Sequence, residues 1–241
     1  MRPINKGDVP LVNNIPKVVS DYKDWRQDLI DRIGPYCCYC NMDLKDSPQV
    51  EHVIPKASTP GLQLEWSNML LACGPCNRKK SDNDFNIQDH YLPDYHNTLL
   101  AFDYRVVPHP TKEDTFGCIV IPAINDVVNT EKSQETINFF GLDLLKSNPR
   151  ATDLRWKYRY EAYISASIWK DKWDNWGRDM EDEFIPLLTD CALGKGFFGI
   201  WISFFNDVTL VKQSLVNSFL GTRNEAFDQD YVLIPINDGD L

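Results

Sequence analysis

The sequence lacks the features of a secreted or membrane-spanning chain. Its N-terminal segment carries Arg2, Lys6 and Asp8 and has no apolar run, which argues against a secretory signal peptide. The longest apolar stretch, 197–205, is interrupted by glycine and serine and is far shorter than the ~20 residues that span a bilayer. No internal repeat and no low-complexity segment is present. We therefore expect a cytoplasmic protein that does not bind membranes.

The chain also lacks net positive charge. It has 35 acidic and 25 basic residues, a formal charge of −10, whereas proteins that bind DNA unaided usually carry a basic face. The acidic residues of 179–183 and of the tail (Asp228, Asp230, Asp238 and Asp240) are interpreted as solvated surface. The alternative is that another subunit supplies part of the affinity for DNA. A G-x-x-x-x-G-K-[ST] phosphate loop is also missing, so any use of ATP must come from elsewhere.

Seven cysteines are present, and four of them form two C-x-x-C pairs, Cys37 with Cys40 and Cys73 with Cys76. Two such pairs that approach each other give tetrahedral thiolate ligation of a structural Zn²⁺ ion. Cys38 competes with Cys37 for the first ligand position, and the spacing favours Cys37. The cysteines outside the pairs are interpreted as small buried residues; they are Cys38, Cys118 and Cys191.

Apolar periodicity predicts several helices and one hairpin. An amphipathic helix over 18–33 is ended by Gly34-Pro35. Extended runs at 101–107 and 116–121 predict a small hairpin. The predicted helices of the C-terminal half are 131–140 (ended by Gly141), 151–176, 184–193 and 208–220.

The segment between the cysteine pairs contains Glu51-His52 and then Asn68, and Asn77 follows the last cysteine directly. This pattern resembles the HNH, or ββα-metal, endonucleases over about fifty residues. The resemblance implies that His52 is the general base, that Glu51 and Asn77 hold a catalytic Mg²⁺ or Mn²⁺ ion, and that Asn68 ties the loop that orients the histidine. Asn77 is also a candidate helix cap.

Basic residues near the motif are candidate contacts for phosphates of the substrate. They are Lys56, Arg78, Lys79 and Lys80. For 78–80 the alternative is a solvated helix face. The histidines outside the motif are interpreted as surface or core residues, with substrate contact as the alternative; they are His90, His96 and His109.

Further motifs resemble the HNH nuclease subunit, PtuB, of Septu-type anti-phage systems, which also occurs beside some retrons. They are Met1-Arg2-Pro3-Ile4, Pro93-Asp94 with Asn97-Thr98, Phe102-Asp103-Tyr104, Glu135-Thr136-Ile137 with Gly141-Leu142, and Gly196-Phe197-Phe198 with Trp201. This resemblance implies an ATPase partner, PtuA, in a complex that degrades nucleic acid, with DNA as the expected substrate.

The expected fold is α+β, with a small ββα unit and its zinc site followed by a mostly helical C-terminal part. The expected divisions are an N-terminal arm and helix (1–33), the HNH domain (34–105), a connector with a hairpin (106–128) and a helical, partner-binding region (129–241). Two other functions remain open: a stand-alone restriction-type HNH nuclease, and a zinc-stabilised binding module without catalysis.

Overall fold

The N-terminal segment forms a short hairpin and one helix. The computed structural model describes residues 1–145 and 153–236. Strands β1 (Leu11–Val12) and β2 (Ile15–Pro16) pair antiparallel around a two-asparagine turn. Helix α1 (Arg26–Ile33) follows a 3-10 turn over Tyr22–Trp25. The predicted helix therefore starts later than residue 18, because the Asp21 side chain accepts from the backbone N–H of Lys23 and caps the turn there.

The next unit is a ββα arrangement. Strands β3 (Gln49–His52) and β4 (Met69–Ala72) pair antiparallel, with Glu51 opposite Leu70. Helix α2 (Gly74–Lys80) follows β4 directly, and Cys73 caps its N-terminus by accepting from the backbone N–H of Cys76. Pro75 stands in the first turn, where its missing N–H costs nothing. Short connections therefore place the last cysteine pair next to the strands.

A second hairpin and the helices α3 to α8 make up the rest of the described chain. The predicted hairpin is present as β5 (Phe102–Pro108) and β6 (Phe116–Pro122), after the short helix α3 (Thr98–Ala101). Gly141 ends α4 in the left-handed conformation, with a φ of 59°. The remaining helices are α4 (Thr130–Phe140), α5 (Arg155–Asn175), α6 (Glu181–Lys195), α7 (Phe198–Phe204) and α8 (Thr209–Ser218).

The C-terminal helices agree with the sequence prediction in position and differ in length. Helix α5 begins at Arg155, later than predicted, and residues 151 and 152 of the predicted helix lie outside the described residues. Helix α6 is longer than predicted at both ends and contains Pro186. Helix α7 was not predicted, because its uniformly apolar sequence has no helical periodicity to detect. All of its residues from Phe198 to Ile202 are buried.

Two hydrophobic clusters hold the molecule together. One joins α1, the β3–β4 pair, the cysteine pairs and α4, and the other joins α5, α6, α7 and α8. Arg2 bridges them, since its guanidinium donates to Ile33 O at 2.7 Å and to Phe219 O at 2.9 Å. The α+β fold class with a mostly helical C-terminal part is confirmed. The four predicted divisions remain a prediction.

The surface also agrees with the composition. The acidic residues of 179–183 are exposed, as are Asp228 and Asp230, whereas Asp238 and Asp240 lie outside the described residues. Among the described helices, none combines the length and the apolar character needed to cross a membrane.

Candidate active site and metal centre

Four sulfur atoms cluster where the first cysteine pair meets the N-terminus of α2. The Sγ atoms of Cys37, Cys40, Cys73 and Cys76 all lie within 4.8 Å of one another, and all four residues are buried. The sulfurs of Cys40 and Cys73 are 3.7 Å apart. Because Zn–S bonds measure about 2.3 Å, a tetrahedral zinc ion holds its sulfurs about 3.8 Å apart. The cluster therefore has the donor chemistry and the spacing that a structural zinc ion needs.

Cys38 lies outside this cluster. Its backbone N–H donates to Leu71 O at 2.8 Å, which joins the cysteine turn to β4. Burial raises the pKa of the Cys38 thiol to about 12, so this side chain stays a neutral thiol. The backbone N–H of Asn41 donates to Cys37 O at 2.7 Å and closes the turn of the first pair. The structure thus brings Cys37, and not Cys38, to the metal centre.

A buried arginine contacts the cluster from the C-terminal part of the chain. Arg155, the first residue of α5, is 2% exposed. Its Nη1 donates to Cys76 Sγ at 3.1 Å and its Nη2 to Phe140 O at 2.9 Å. Four thiolates bring excess negative charge to a buried site, and a buried charge is costly unless it is paired. The guanidinium offsets part of that charge and fixes the start of α5 against the cluster.

His52, the last residue of β3, presents one free ring nitrogen. Its Nε2 lies 3.0 Å from Gln63 O, and because a carbonyl only accepts, Nε2 carries the proton and Nδ1 keeps its lone pair. Burial lowers the pKa of His52 below the ordinary 6.5; the nearby positive charges of Lys56 and Lys80 act in the same direction, and the Gln63 bond opposes them. A neutral imidazole with an unprotonated nitrogen is what a general base requires.

Asn68 fixes the loop that carries the Gln63 carbonyl. Its Oδ1 accepts from the backbone N–H of Ile54 at 2.7 Å, and its Nδ2 donates to Ile54 O at 3.0 Å and to Leu62 O at 3.2 Å. The side chain is buried, and its amide is used from both ends. Leu62 precedes Gln63 directly, so Asn68 holds the backbone against which the His52 ring is oriented.

Glu51 faces the opposite side of β3 from His52, because side chains alternate along a strand. Its Oε1 lies 3.0 Å from Lys80 Nζ, and its Oε2 accepts from the Tyr39 hydroxyl. Lys80 is 0% exposed and Glu51 is 4% exposed. Asn77 has a different partner, since its Nδ2 donates to Gln49 Oε1 at 2.8 Å. Helix α2 and strand β3 are therefore joined by two separate polar pairs.

These pairs bear on two of the sequence predictions. Lys80 was predicted to contact a phosphate, but a side chain without solvent exposure does not reach a substrate. Glu51 and Asn77 were predicted to hold a divalent cation together, yet each has its own partner and both Glu51 oxygens are engaged. A hard cation needs accessible oxygen ligands. In this arrangement both Glu51 oxygens are occupied, and the assignment of Glu51 and Asn77 to such an ion stays a prediction.

The buried pair predicts a pH dependence of stability. Burial raises the pKa of Glu51 from 4.5 to about 7, against the opposing effects of Lys80 and Tyr39. The folded state therefore binds a proton that the unfolded state releases, and stability falls as pH rises through this window. We expect the wild type to lose about 2 kcal/mol of unfolding free energy between pH 5 and pH 7 relative to the double variant Glu51→Gln/Lys80→Met.

Urea unfolding at a series of pH values measures this difference. The double variant is the matched control, because it removes both charges of the pair and keeps the side-chain shapes. Parallel stability curves for the two proteins would show that Glu51 keeps an ordinary pKa in the folded state and would contradict the prediction.

The other predicted phosphate contacts remain at the surface. Lys56 and Arg78 are exposed and Lys79 is half-buried. Lys56 lies in the β3–β4 loop close enough to His52 to affect its pKa. These three side chains are therefore available to a substrate, and Lys80 is not.

Tyr22 is the residue near His52 that the sequence prediction missed. Its ring centroid is 4.6 Å from that of His52. In the sequence it reads as one apolar position of the predicted helix over 18–33. The only hint in the sequence was the basic residue Lys23 directly after Tyr22. The fold is what brings this turn to the β3–β4 loop.

The histidines outside the motif are buried in the hydrophobic packing. His90 packs against Phe85 and Phe139, and His109 against Trp156. His96 Nδ1 accepts from the backbone N–H of Leu92 at 2.8 Å. Their placement agrees with the interpretation as core residues.

The ββα unit carries a cysteine cluster and a histidine at the end of its first strand, and this combination can be compared with known families. Residues 37–83 match the family model of HNH endonucleases. Over 59 residues the chain is 36% identical to the Septu protein PtuB of Bacillus thuringiensis. That match covers 23% of this chain and 23% of the relative. No solved structure matches the chain significantly.

Proposed function

We propose that this protein is an endonuclease that hydrolyses phosphodiester bonds in DNA, with His52 as the general base. The observation that carries the proposal is the hydrogen bond from His52 Nε2 to Gln63 O, which leaves Nδ1 unprotonated. The lowered pKa of His52 keeps the ring neutral near pH 7. The match of residues 37–83 to HNH endonucleases supports the same chemistry.

In the proposed reaction, His52 Nδ1 takes a proton from a water molecule as the water oxygen attacks the phosphorus atom. The bond from phosphorus to the 3′ oxygen breaks, and this oxygen leaves with a proton from solvent. The imidazolium then returns its proton to water. Asn68 acts indirectly, because it holds the backbone next to Gln63, whose carbonyl orients the His52 ring. The neutral ring required by the first step is the form that burial favours.

Two kinds of metal ion belong to the proposal. Zn²⁺ is the ion proposed for Cys37, Cys40, Cys73 and Cys76, where it has a structural role. A need for Mg²⁺ or Mn²⁺ in cleavage stays a prediction. A cation bound by Glu51 would have to replace the Lys80 ammonium, which lies 3.0 Å from Oε1, so no step of the mechanism proposed above passes through that carboxylate.

We further propose that the protein works in the cytoplasm as the nuclease subunit of an anti-phage complex with an ATPase. The partial similarity to the Septu protein PtuB supports this role. The formal charge of −10 also supports it, because an acidic nuclease gains from a partner that supplies affinity for DNA. The exposed acidic segment 179–183 lies in the helical C-terminal part of the chain.

Incubation of the purified chain with supercoiled plasmid and Mg²⁺ or Mn²⁺ tests the activity, and co-purification from the native host tests the partner. We expect nicked or linear plasmid, and an ATPase in the purified complex. A stand-alone nuclease would cut as fast alone as in any complex. A binding module would retain DNA without cutting it, and that result would contradict the proposed activity.

A further inference from the structure

An aromatic ring lies against His52, and two lysines lie near the same ring. The Tyr22 ring centroid is 4.6 Å from that of His52. The ammonium groups of Lys23 and Lys56 each lie 5.8 Å from the centre of the same Tyr22 ring. Both lysines are exposed. These contacts place two positive charges within about 10 Å of the imidazole, a length over which one DNA strand carries about three phosphates, at one per ~3.4 Å of helix axis.

Two of these residues come from outside the HNH domain, and the fold holds them in place. Trp25, in the same 3-10 turn as Tyr22, is buried and donates from Nε1 to Leu64 O at 2.9 Å. Leu64 belongs to the β3–β4 loop that also carries Gln63. The capping bond from Lys23 N–H to Asp21 Oδ1, at 2.9 Å, orders the turn itself. The turn is therefore fixed to the loop that orients His52.

The two ammonium groups are available to a ligand. Within residues 1–145 and 153–236, neither Lys23 nor Lys56 has a carboxylate oxygen within 4.0 Å. The neighbouring Lys17, in contrast, is paired with Asp28 at 2.6 Å. The acidic residues of the turn are also engaged, since Asp21 caps it and Asp24 accepts from the Asp21 backbone N–H at 3.4 Å. The ammonium groups of Lys23 and Lys56 therefore remain free to bind an anionic ligand.

We propose that Tyr22, Lys23 and Lys56 form a contact surface for the nucleic-acid backbone at the scissile phosphate. Lys23 and Lys56 bind phosphates on the attacked strand, and Tyr22 supports both lysine stems and the His52 ring. Such contacts position a strand without reading its sequence. The inference rests on the proposed nuclease function and assigns part of its substrate site to the segment before the HNH domain.

The salt dependence of DNA binding tests this surface. Each phosphate contact contributes about 0.9 to the slope of the logarithm of the binding constant against the logarithm of salt concentration on duplex DNA. We expect Lys23→Gln and Lys56→Gln each to lower that slope by about 0.9 and to weaken binding several-fold at low salt. The probe is a short fluorescent DNA duplex, measured by anisotropy without added divalent cation so that no cleavage occurs. Lys112→Gln, at an exposed loop lysine, is the matched control and should leave the slope unchanged.

Three outcomes separate this surface from the nuclease proposal itself. Unchanged slopes for both lysine variants overturn the surface, even if His52→Ala abolishes cleavage. Lowered slopes support it, even if cleavage survives in His52→Ala and the assigned base is wrong. No measurable binding by the wild type at low salt also overturns it. Circular dichroism of each variant checks that the turn and the loop remain folded.

Discussion

Replacing any one of Cys37, Cys40, Cys73 or Cys76 by serine is expected to abolish zinc binding and to unfold the ββα unit. The four sulfurs lie within 4.8 Å of one another and hold together the first cysteine turn and the N-terminus of α2. Structural zinc contributes about 10 kcal/mol or more to the folding of small zinc domains. Loss of the ion therefore removes more free energy than a domain of this kind usually has to spare.

Metal analysis of the purified proteins measures the effect, together with thermal unfolding. The matched control is Cys38→Ala, which removes a neighbouring buried thiol that lies outside the cluster. Wild type and this control should carry equal amounts of zinc, and Cys37→Ser should carry none. Zinc retained in Cys37→Ser but lost in Cys38→Ala would assign the first ligand position to Cys38 and would contradict the arrangement described above.

Replacing His52 by alanine is expected to lower the rate of plasmid cleavage by about 10²–10⁴-fold. The reason is that Nδ1 is the one nitrogen of this ring left free to take the proton, while Nε2 is bound to Gln63 O. The loss should appear in the rate of the chemical step. Binding of DNA should change little, because the proposed phosphate contacts are Lys23 and Lys56. Single-turnover cleavage with saturating protein separates these two effects.

His109→Ala is the matched control for this substitution. His109 is also buried, packs against Trp156 and lies outside the motif. It should retain wild-type cleavage at a temperature where both variants are folded. Equal cleavage by His52→Ala and wild type would show that another group activates the water.

The sequence was most informative where spacing alone determines proximity. Two C-x-x-C pairs and a glycine–proline turn were enough to predict the cysteine cluster, because thiolates at these spacings have few other roles. The hairpin at β5–β6 and the end of α4 at Gly141 follow from local rules in the same way. The hairpin and the helix end depend only on residues that are close together in the sequence.

The sequence was least informative where a contact depends on which face of an element is turned inward. Lys80 reads as the third member of a basic run, yet it lies on the face of α2 that meets β3 and pairs with Glu51. Glu51 and Asn77 match positions of a family pattern, but matching positions does not settle which partner each side chain takes. Tyr22 could not be placed at His52, because that contact joins elements thirty residues apart through the packing of Trp25.

Histidine NMR on uniformly ¹⁵N-labelled protein tests the central claim most directly, because it reports the tautomer and the pKa of each imidazole. We predict that His52 is neutral at pH 7, carries its proton on Nε2, and titrates below the ordinary histidine value of 6.5. His52→Ala identifies its signals. A His52 ring that carries its proton on Nδ1 in the neutral form, or that titrates above 6.5, would contradict its role as the base.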